Sequence, residues 1–175
     1  HWLPKTRGDK IKGDGAGYYG LLYIANDRTI ISTKTYNEVL KAVDALKTSD
    51  STKFYFEPNN MFDDDIQRFY QLKFKATFND VEYRCMMDEC IVVHSKKLII
   101  PIDLKTSSHT EWDFAESFIK WNYMIQGRLY ARLLKATIEK DEYFKDFTIA
   151  PYKFIVVNRS TLTPLVWNFE DTFKE

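Results

Sequence analysis

The triplet Asp103-Leu104-Lys105 lies inside the run "IIPIDLKTSS", residues 99 to 108. In an extended chain successive side chains point to opposite faces, so Asp103 and Lys105 share one face while Ile100, Ile102 and Leu104 share the other. The apolar trio can hold a core, which leaves the charged pair to line a cleft. A carboxylate so placed can help hold a divalent cation, and an ammonium two residues on can offset negative charge that develops during a reaction. Asp88 belongs to the preceding strand-like run, across the turn "HSKK", so two carboxylates from neighbouring strands can converge on one ion. Gln126 and Tyr130 stand at i and i+4 of a helical stretch, one above the other, where Gln can orient a water or a phosphate and Tyr can donate to a phosphate oxygen.

Each of these features has an ordinary reading when taken singly. An acid-x-Lys triplet is expected about once in a chain of this size. An exposed Asp–Lys pair is worth about 0–1 kcal/mol. Gln126 alone is a routine polar helix residue, and Tyr130 a routine core aromatic. His94 reads as a turn residue and His109 as a helix-entry residue, and neither as a ligand.

The elements that must position these residues follow from composition and periodicity. A chain of 175 residues can bury one sizeable core. With 45% hydrophobic and 16% aromatic residues it is globular and not disordered. Its 25 basic and 25 acidic residues cancel, so any site for a polyanion must be local. No apolar run reaches the length of a membrane span and no apolar leader follows a basic start, so no membrane partner is expected. The chain opens at His1 and not at Met, so residues upstream of it are expected. The two cysteines, Cys85 and Cys90, are too few to close a zinc or iron–sulfur site and read as buried free thiols of a reducing compartment.

Residues 1–34 read as a Gly- and Lys-rich arm ending in a short strand "LLYI", with Lys10 and Lys12 able to touch phosphates. Residues 35–175 read as a single domain. "TYNEVLKAVDALK" is an amphipathic helix with Val39, Val43 and Leu46 on one stripe. "RFYQLKFKATF", "VEYRCMMDECIVV" and "LIIPIDLK" alternate as three antiparallel strands, broken at Asn79–Asp80 and at residues 94–97. Ser108 and Glu111 have capping-box spacing before a long helix, residues 111 to 136, whose stripe runs through Phe114, Phe118, Ile125, Leu129 and Leu133. "YKFIVVN" and "LVWNF" read as further strands.

The order "YRCMMDECIVV", "IPIDLKTSS", "NYMIQGRLY" resembles the PD-(D/E)XK nucleases of the RecB-like and RecE-like branch, which includes relatives of lambda exonuclease. That pattern is an Asp on one strand, Asp/Glu-x-Lys on the next, then a helix bearing Gln-x-x-x-Tyr. Asp88, Asp103, Lys105, Gln126 and Tyr130 match it position by position, across roughly residues 68 to 158. Thr106 and Tyr123 resemble the phage and RecE-type members as well. The resemblance implies an α/β fold with a restriction-endonuclease-like core, a central mixed β-sheet flanked by helices. It implies a cytoplasmic, bacterial or phage-encoded exonuclease that hydrolyses DNA with Mg²⁺ or Mn²⁺ and works beside a single-strand annealing protein.

Under that resemblance Asp88, Asp103 and the Leu104 carbonyl hold the metal, and Lys105 positions the attacking water. Many such enzymes carry a further Glu ligand before the first core strand; here only Asp64 or Asp65 of the acidic run 63–65 is available to replace it, unless that ligand lies upstream of His1. DNA contacts are expected from Lys96, Lys97, Arg128 and the basic arm. The rival readings are a non-catalytic nuclease-fold module that binds DNA or a recombination partner, and a metal-dependent phosphohydrolase of small nucleotides.

Overall fold

The computed structural model describes residues 15–26, 28–62, 64–110 and 112–170. The chain divides into two compact units at the Leu40–Lys41 boundary. In the first, helix α1 (Ala16–Ala25) takes in the segment "LLYI", which was expected as a strand. A four-residue apolar run does not distinguish strand from helix, and here Asn26, with φ 53°, ends a helix instead. Helix α2 (Thr33–Thr48) begins in the first unit and ends in the second. The Ser32 hydroxyl caps its start by accepting the Thr35 N–H at 3.0 Å.

The second unit is built on a six-stranded sheet of β1 (Ile66–Phe78), β2 (Val81–Val93), β3 (Leu98–Ser107), β4 (Thr148–Ile149), β5 (Tyr152–Asn158) and β6 (Pro164–Phe169). The order is β1-β2-β3-β5-β6, with the short β4 pairing with β3. Strands β1, β2 and β3 form the expected antiparallel meander. Its first turn holds Asn79 and Asp80 at φ 48° and 63°, the conformation that a two-residue hairpin turn demands and that Asn and Asp tolerate. Strand β5 runs parallel to β3, so the chain crosses one face of the sheet between them. The fold is therefore a mixed α/β sheet with helices, as expected.

That crossover differs from the single long helix expected over residues 111–136. It consists of α3 (Phe114–Lys120) and α4 (Tyr123–Ile138), separated at Asn122, whose φ 53° and ψ 38° are left-handed. Asn accepts this conformation more readily than most residues, and the Trp121 and Asn122 N–H groups close the end of α3 on Ser117 and Ile119 carbonyls at 3.0 Å. The break turns Ile125 out to solvent, 61% exposed, so it leaves the stripe in which Phe114, Phe118 and Leu133 are buried. Glu111 lies outside the described residues.

The two larger cores among the described residues lie one on each face of the sheet. Phe114, Phe118, Ala131, Leu134 and Ile138 of α3 and α4 pack on Cys90, Val92, Ile99, Phe154 and Val156. On the other face Ile91, Val93, Ile100, Ile102 and Ile155 are covered by Leu46 of α2 and by Tyr55 and Phe56 of a 3-10 turn (Lys53–Phe56). Ile100 and Ile102 thus share a buried face as the alternation requires, while Leu104, the third of the expected trio, is 41% exposed. Cys85 and Cys90 are buried free thiols, and burial pushes both up to about 12. Among the described residues no helix is long and apolar enough to cross a membrane.

Candidate active site

Strands β1 and β2 change step at one rung, and the candidate site lies there. From Phe74 and Leu72 the inward positions of β1 jump three residues to Phe69, and in β2 they pass from Cys85 and Met87 to Cys90 and Val92. Both strands slip together, so the register is the same on either side, and the step falls where the pairing skips Gln71 and Asp88, between Tyr70–Glu89 and Leu72–Met87. Gln71 has φ 51°. At the same level β3 parts from β2, because their pairing ends at Glu89 and Ile102. Asp88 fills the opening: its carboxylate accepts the Leu104 N–H at 2.8 Å, where a strand carbonyl would otherwise sit. In an extended strand the N–H and C=O of one residue point to the same side, so the Leu104 carbonyl faces that opening too.

Asp103 projects from β3 toward α4 and is 3% exposed. Gln126 donates to it at 2.5 Å and the Lys105 ammonium stands 2.5 Å from its other oxygen. Burial raises the Asp103 pKa above the usual carboxylate range, against the pull of Lys105, and the negative charge of Asp88 raises it further. Lys105 also lies 4.8 Å from the centroid of the Tyr123 ring. Tyr123 is itself fixed by stacking on Phe114 and Phe154. Tyr130, one turn beyond Gln126, is hydrogen-bonded by the Met86 backbone, and burial is the main cause of its raised pKa, with Asp103 and Asp88 adding to it.

The helix bearing Gln126 comes this close to the sheet because of Gly127. A Cβ there would meet the Phe169 ring at 2.9 Å and Phe154 at 3.6 Å, so a side chain would press α4 away from β5 and β6, the strands next to the one that carries Asp103.

Five residues read from the sequence therefore meet in one place: Asp88, Asp103, Lys105, Gln126 and Tyr130. Others do not join them. Lys96 and Lys97 sit in the β2–β3 turn, six residues along β3 from Asp103, or about 20 Å at 3.3 Å per residue. Asp65 lies at the same far end and caps that turn, accepting the Ser95 N–H at 2.6 Å and the Ser95 hydroxyl at 2.8 Å, bonds that lower its pKa. Asp64 beside it is exposed. The start of β1 pairs with Val93, five rungs or about 17 Å from Asp88, so neither acid is placed to be an additional ligand there. Arg128 lies over the Phe169 ring, 6.0 Å from its centroid. Lys10 and Lys12 fall outside the described residues. His94 pairs with the Tyr143 hydroxyl at 2.9 Å in its turn, as a turn residue would.

Two buried groups near the site escaped the sequence reading. Tyr152, which opens β5, is fully buried with its ring 6.4 Å from that of Tyr130; burial and the charge of Asp103 raise its pKa. Its place in an apolar strand run hid it. Glu89, next to Asp88, turns to the opposite face, where it is 1% exposed and burial pushes its carboxyl up to about 7. Arg68, also buried, pulls against that shift, but neither Glu89 oxygen has a hydrogen-bond partner among the described residues. A charged residue in "DECIVV" read as part of an alternating strand gives no sign of which face it takes once the alternation slips.

The donor set is two carboxylates and a backbone carbonyl, all hard oxygen donors. Among the described residues no group of three or more His, Cys, Asp or Glu side chains could hold a metal ion. A Mg²⁺-type ion, which keeps several waters and takes one or two carboxylates together with substrate phosphate, fits such a set. A cation would also relieve the unfavourable approach of the Asp88 and Asp103 charges.

No protein-family profile matches the chain, and no curated protein matches it in sequence. A crystal structure of a candidate exonuclease from Eubacterium rectale is similar in fold, with a TM-score of 0.49 and 13% sequence identity over 91% of this chain. The chain spans about half of that structure, 55% of its length.

Proposed function

We propose that the protein is a divalent-metal-dependent deoxyribonuclease of the PD-(D/E)XK type, acting on DNA ends in phage-type recombination or repair. The observation that carries this reading is the junction at Asp103: one buried carboxylate held between Gln126 and Lys105, with Asp88 in the adjoining gap between β2 and β3. A structural ion pair would not need the strands to part or a second acid to turn into the opening.

Asp88, Asp103 and the Leu104 carbonyl would hold Mg²⁺ or Mn²⁺. When bound, such an ion supplies charge neutralisation at the phosphate and acidifies a water. The rest of the work falls to the chain. Lys105, steadied by the Tyr123 ring, lends its charge and a donor to the attacking water and to the phosphate as charge builds. Gln126 holds Asp103 in orientation through its amide N–H and keeps its own carbonyl oxygen for that water. Tyr130 can donate to a phosphate oxygen from one helical turn away. Preference for ends over internal bonds comes from the family resemblance and not from residue chemistry.

A second reading, a DNA-binding module without hydrolysis, is favoured by the lack of a three-acid cluster among the described residues. Digestion of end-labelled linear, tailed and covalently closed circular DNA, with Mg²⁺ or with EDTA, separates the two. Metal-dependent loss of linear DNA with closed circles spared supports the exonuclease. Rapid linearisation of circles makes the enzyme an endonuclease, and binding without cleavage of any form makes it the non-catalytic module.

A further inference from the structure

Beyond the rung of Gln71 and Asp88, β2 has no β3 beside it, and the β1–β2 hairpin continues as a two-stranded ribbon to its turn. One face of the ribbon is occupied: Phe74, Ala76 and Cys85 pack with Leu129 and Leu133 of α4. The other face is open. Lys73, Lys75, Arg84 and Met86 are all exposed, in the facing pairs Lys73–Met86 and Lys75–Arg84. These residues, with Phe74, Cys85 and Tyr130 from the side that faces α4, line an open groove of about 630 Å³ that reaches round the ribbon.

The electrostatics of this face are unlike those of the whole neutral chain. Lys75 lies 2.6 Å from Glu82, and Arg84 sets both Nε and Nη2 on one oxygen of the same carboxylate, at 2.9 and 2.8 Å. One acid thus serves two cations, and Lys73 adds a third. The Lys75 and Arg84 side chains are 65% and 79% exposed, so these pairs hold little stability and can exchange the carboxylate for another anion.

We propose that this face of the ribbon binds the phosphate backbone of a DNA strand and leads it to Asp88. The direction of travel rests on the nuclease reading above; the binding surface itself rests on charge and register. Successive outward residues of a strand lie about 6.6 Å apart, so Lys73 stands one step from the Asp88 rung, and Lys75 and Arg84 two steps. That spacing suits consecutive phosphates of an extended strand. The Arg84 fork, which now grips a carboxylate oxygen, has the shape to grip a phosphate oxygen. Met86 lies among the cations and offers apolar surface to a sugar or base. The surface differs from the lysines first expected to serve, Lys96 and Lys97, which lie at the other end of the sheet.

The test is the variant K73Q/K75Q/R84Q, which keeps much of each stem and removes three charges. Binding of labelled single-stranded oligonucleotides of about 4 and about 16 nucleotides is followed by fluorescence anisotropy in EDTA across a salt series. The variant should bind the longer strand about tenfold or more weakly, with the slope of log K against log salt shallower by about 2, some 0.7 for each lost contact. K135Q/K140Q/K145Q, an equal change of charge elsewhere, should keep the parental slope. Hydrolysis of the small diester thymidine 5′-(p-nitrophenyl) phosphate, too short to reach the ribbon, should be unchanged in the ribbon variant. Parental affinity and slope in the ribbon variant, an equal loss in the control variant, or no DNA binding by the parent would each overturn the proposal. Loss of binding in the ribbon variant, from a parent that hydrolyses no diester with Mg²⁺ or Mn²⁺, would instead support the surface and refute the nuclease reading.

Discussion

Glu89→Gln should change the pH dependence of stability in a way that isolates one buried carboxyl. In the folded protein Glu89 holds its proton up to about pH 7, because burial disfavours the charged form more than Arg68 favours it. In the unfolded chain the same carboxyl releases its proton near its ordinary value of 4.5. Between those two values the folded state binds more protons, so raising the pH withdraws stability; below 4.5 the contribution is fully present, and above 7 the loss is complete. The shift corresponds to about 3 kcal/mol. Glutamine nearly preserves the shape and cannot ionise. An amide buried without partners costs about 1–3 kcal/mol, but that cost is the same at every pH and leaves the curve's shape untouched. Urea unfolding of parent and variant, followed by tryptophan fluorescence in EDTA from pH 4 to 8.5, gives the difference in stability at each pH. That difference should favour the variant increasingly from pH 4.5 to 7 and then level off, with other titrating groups cancelling. A flat difference across this range would show that Glu89 is ionised in the folded protein, and the assignment of an uncompensated buried carboxyl would be wrong.

Three further outcomes follow from the geometry. Asp103→Asn should lower DNA cleavage in Mg²⁺ by roughly a thousandfold, about 4 kcal/mol of transition-state stabilisation, while DNA binding in EDTA stays equal or tightens because a carboxylate facing phosphate is gone; near-parental cleavage would remove Asp103 from the site. Lys105→Ala should also lose cleavage but weaken binding in EDTA, since it removes a positive charge, and a variant with tighter binding would contradict the placement of Lys105 in the DNA cleft. Gly127→Ala should destabilise by about 1 kcal/mol net, overpacking against Phe169 outweighing the gain in helix propensity; a higher midpoint in thermal unfolding would show that α4 does not need the close approach.

The parts of this fold visible in the sequence are those set by local pattern. The meander announces itself because Asn79–Asp80 and residues 94–97 interrupt three runs of alternating residues, and its strands follow those runs closely. Asp103 and Lys105 were assignable to one face because parity within a short strand is reliable, whereas Gln126 and Tyr130 came to the same site through their i, i+4 spacing and the family resemblance. What local pattern could not convey was distance along the elements. Lys96 and Lys97 are near the motif in sequence, but the 10-residue β3 carries its two ends far apart, and Asp64 and Asp65 stand at the far end of the 13-residue β1. The helix break at Asn122 was hidden because the apolar spacing continues across it. Tyr152 and Glu89 were hidden because their burial is decided by neighbours remote in the chain.

The slip at Gln71 and Asp88 also accounts for how the sheet can present an acid between β2 and β3. A regular hairpin would alternate Asp88 with Arg84 and Met86 on the open face and send Glu89 toward α4, against the apolar side chains of Leu134 and Ile138. With both strands shifted at one rung, Glu89 goes to the far face and Asp88 is left between the two patterns, free to turn into the gap from which β3 has withdrawn. The left-handed Gln71 is the backbone cost of that arrangement. The same slip sets the ribbon beyond it apart from the main sheet, with one face on α4 and the other, basic face exposed. One local irregularity therefore places a carboxylate at the opening beside Leu104 and a row of cations leading up to it. A regular continuation of either strand would separate the two.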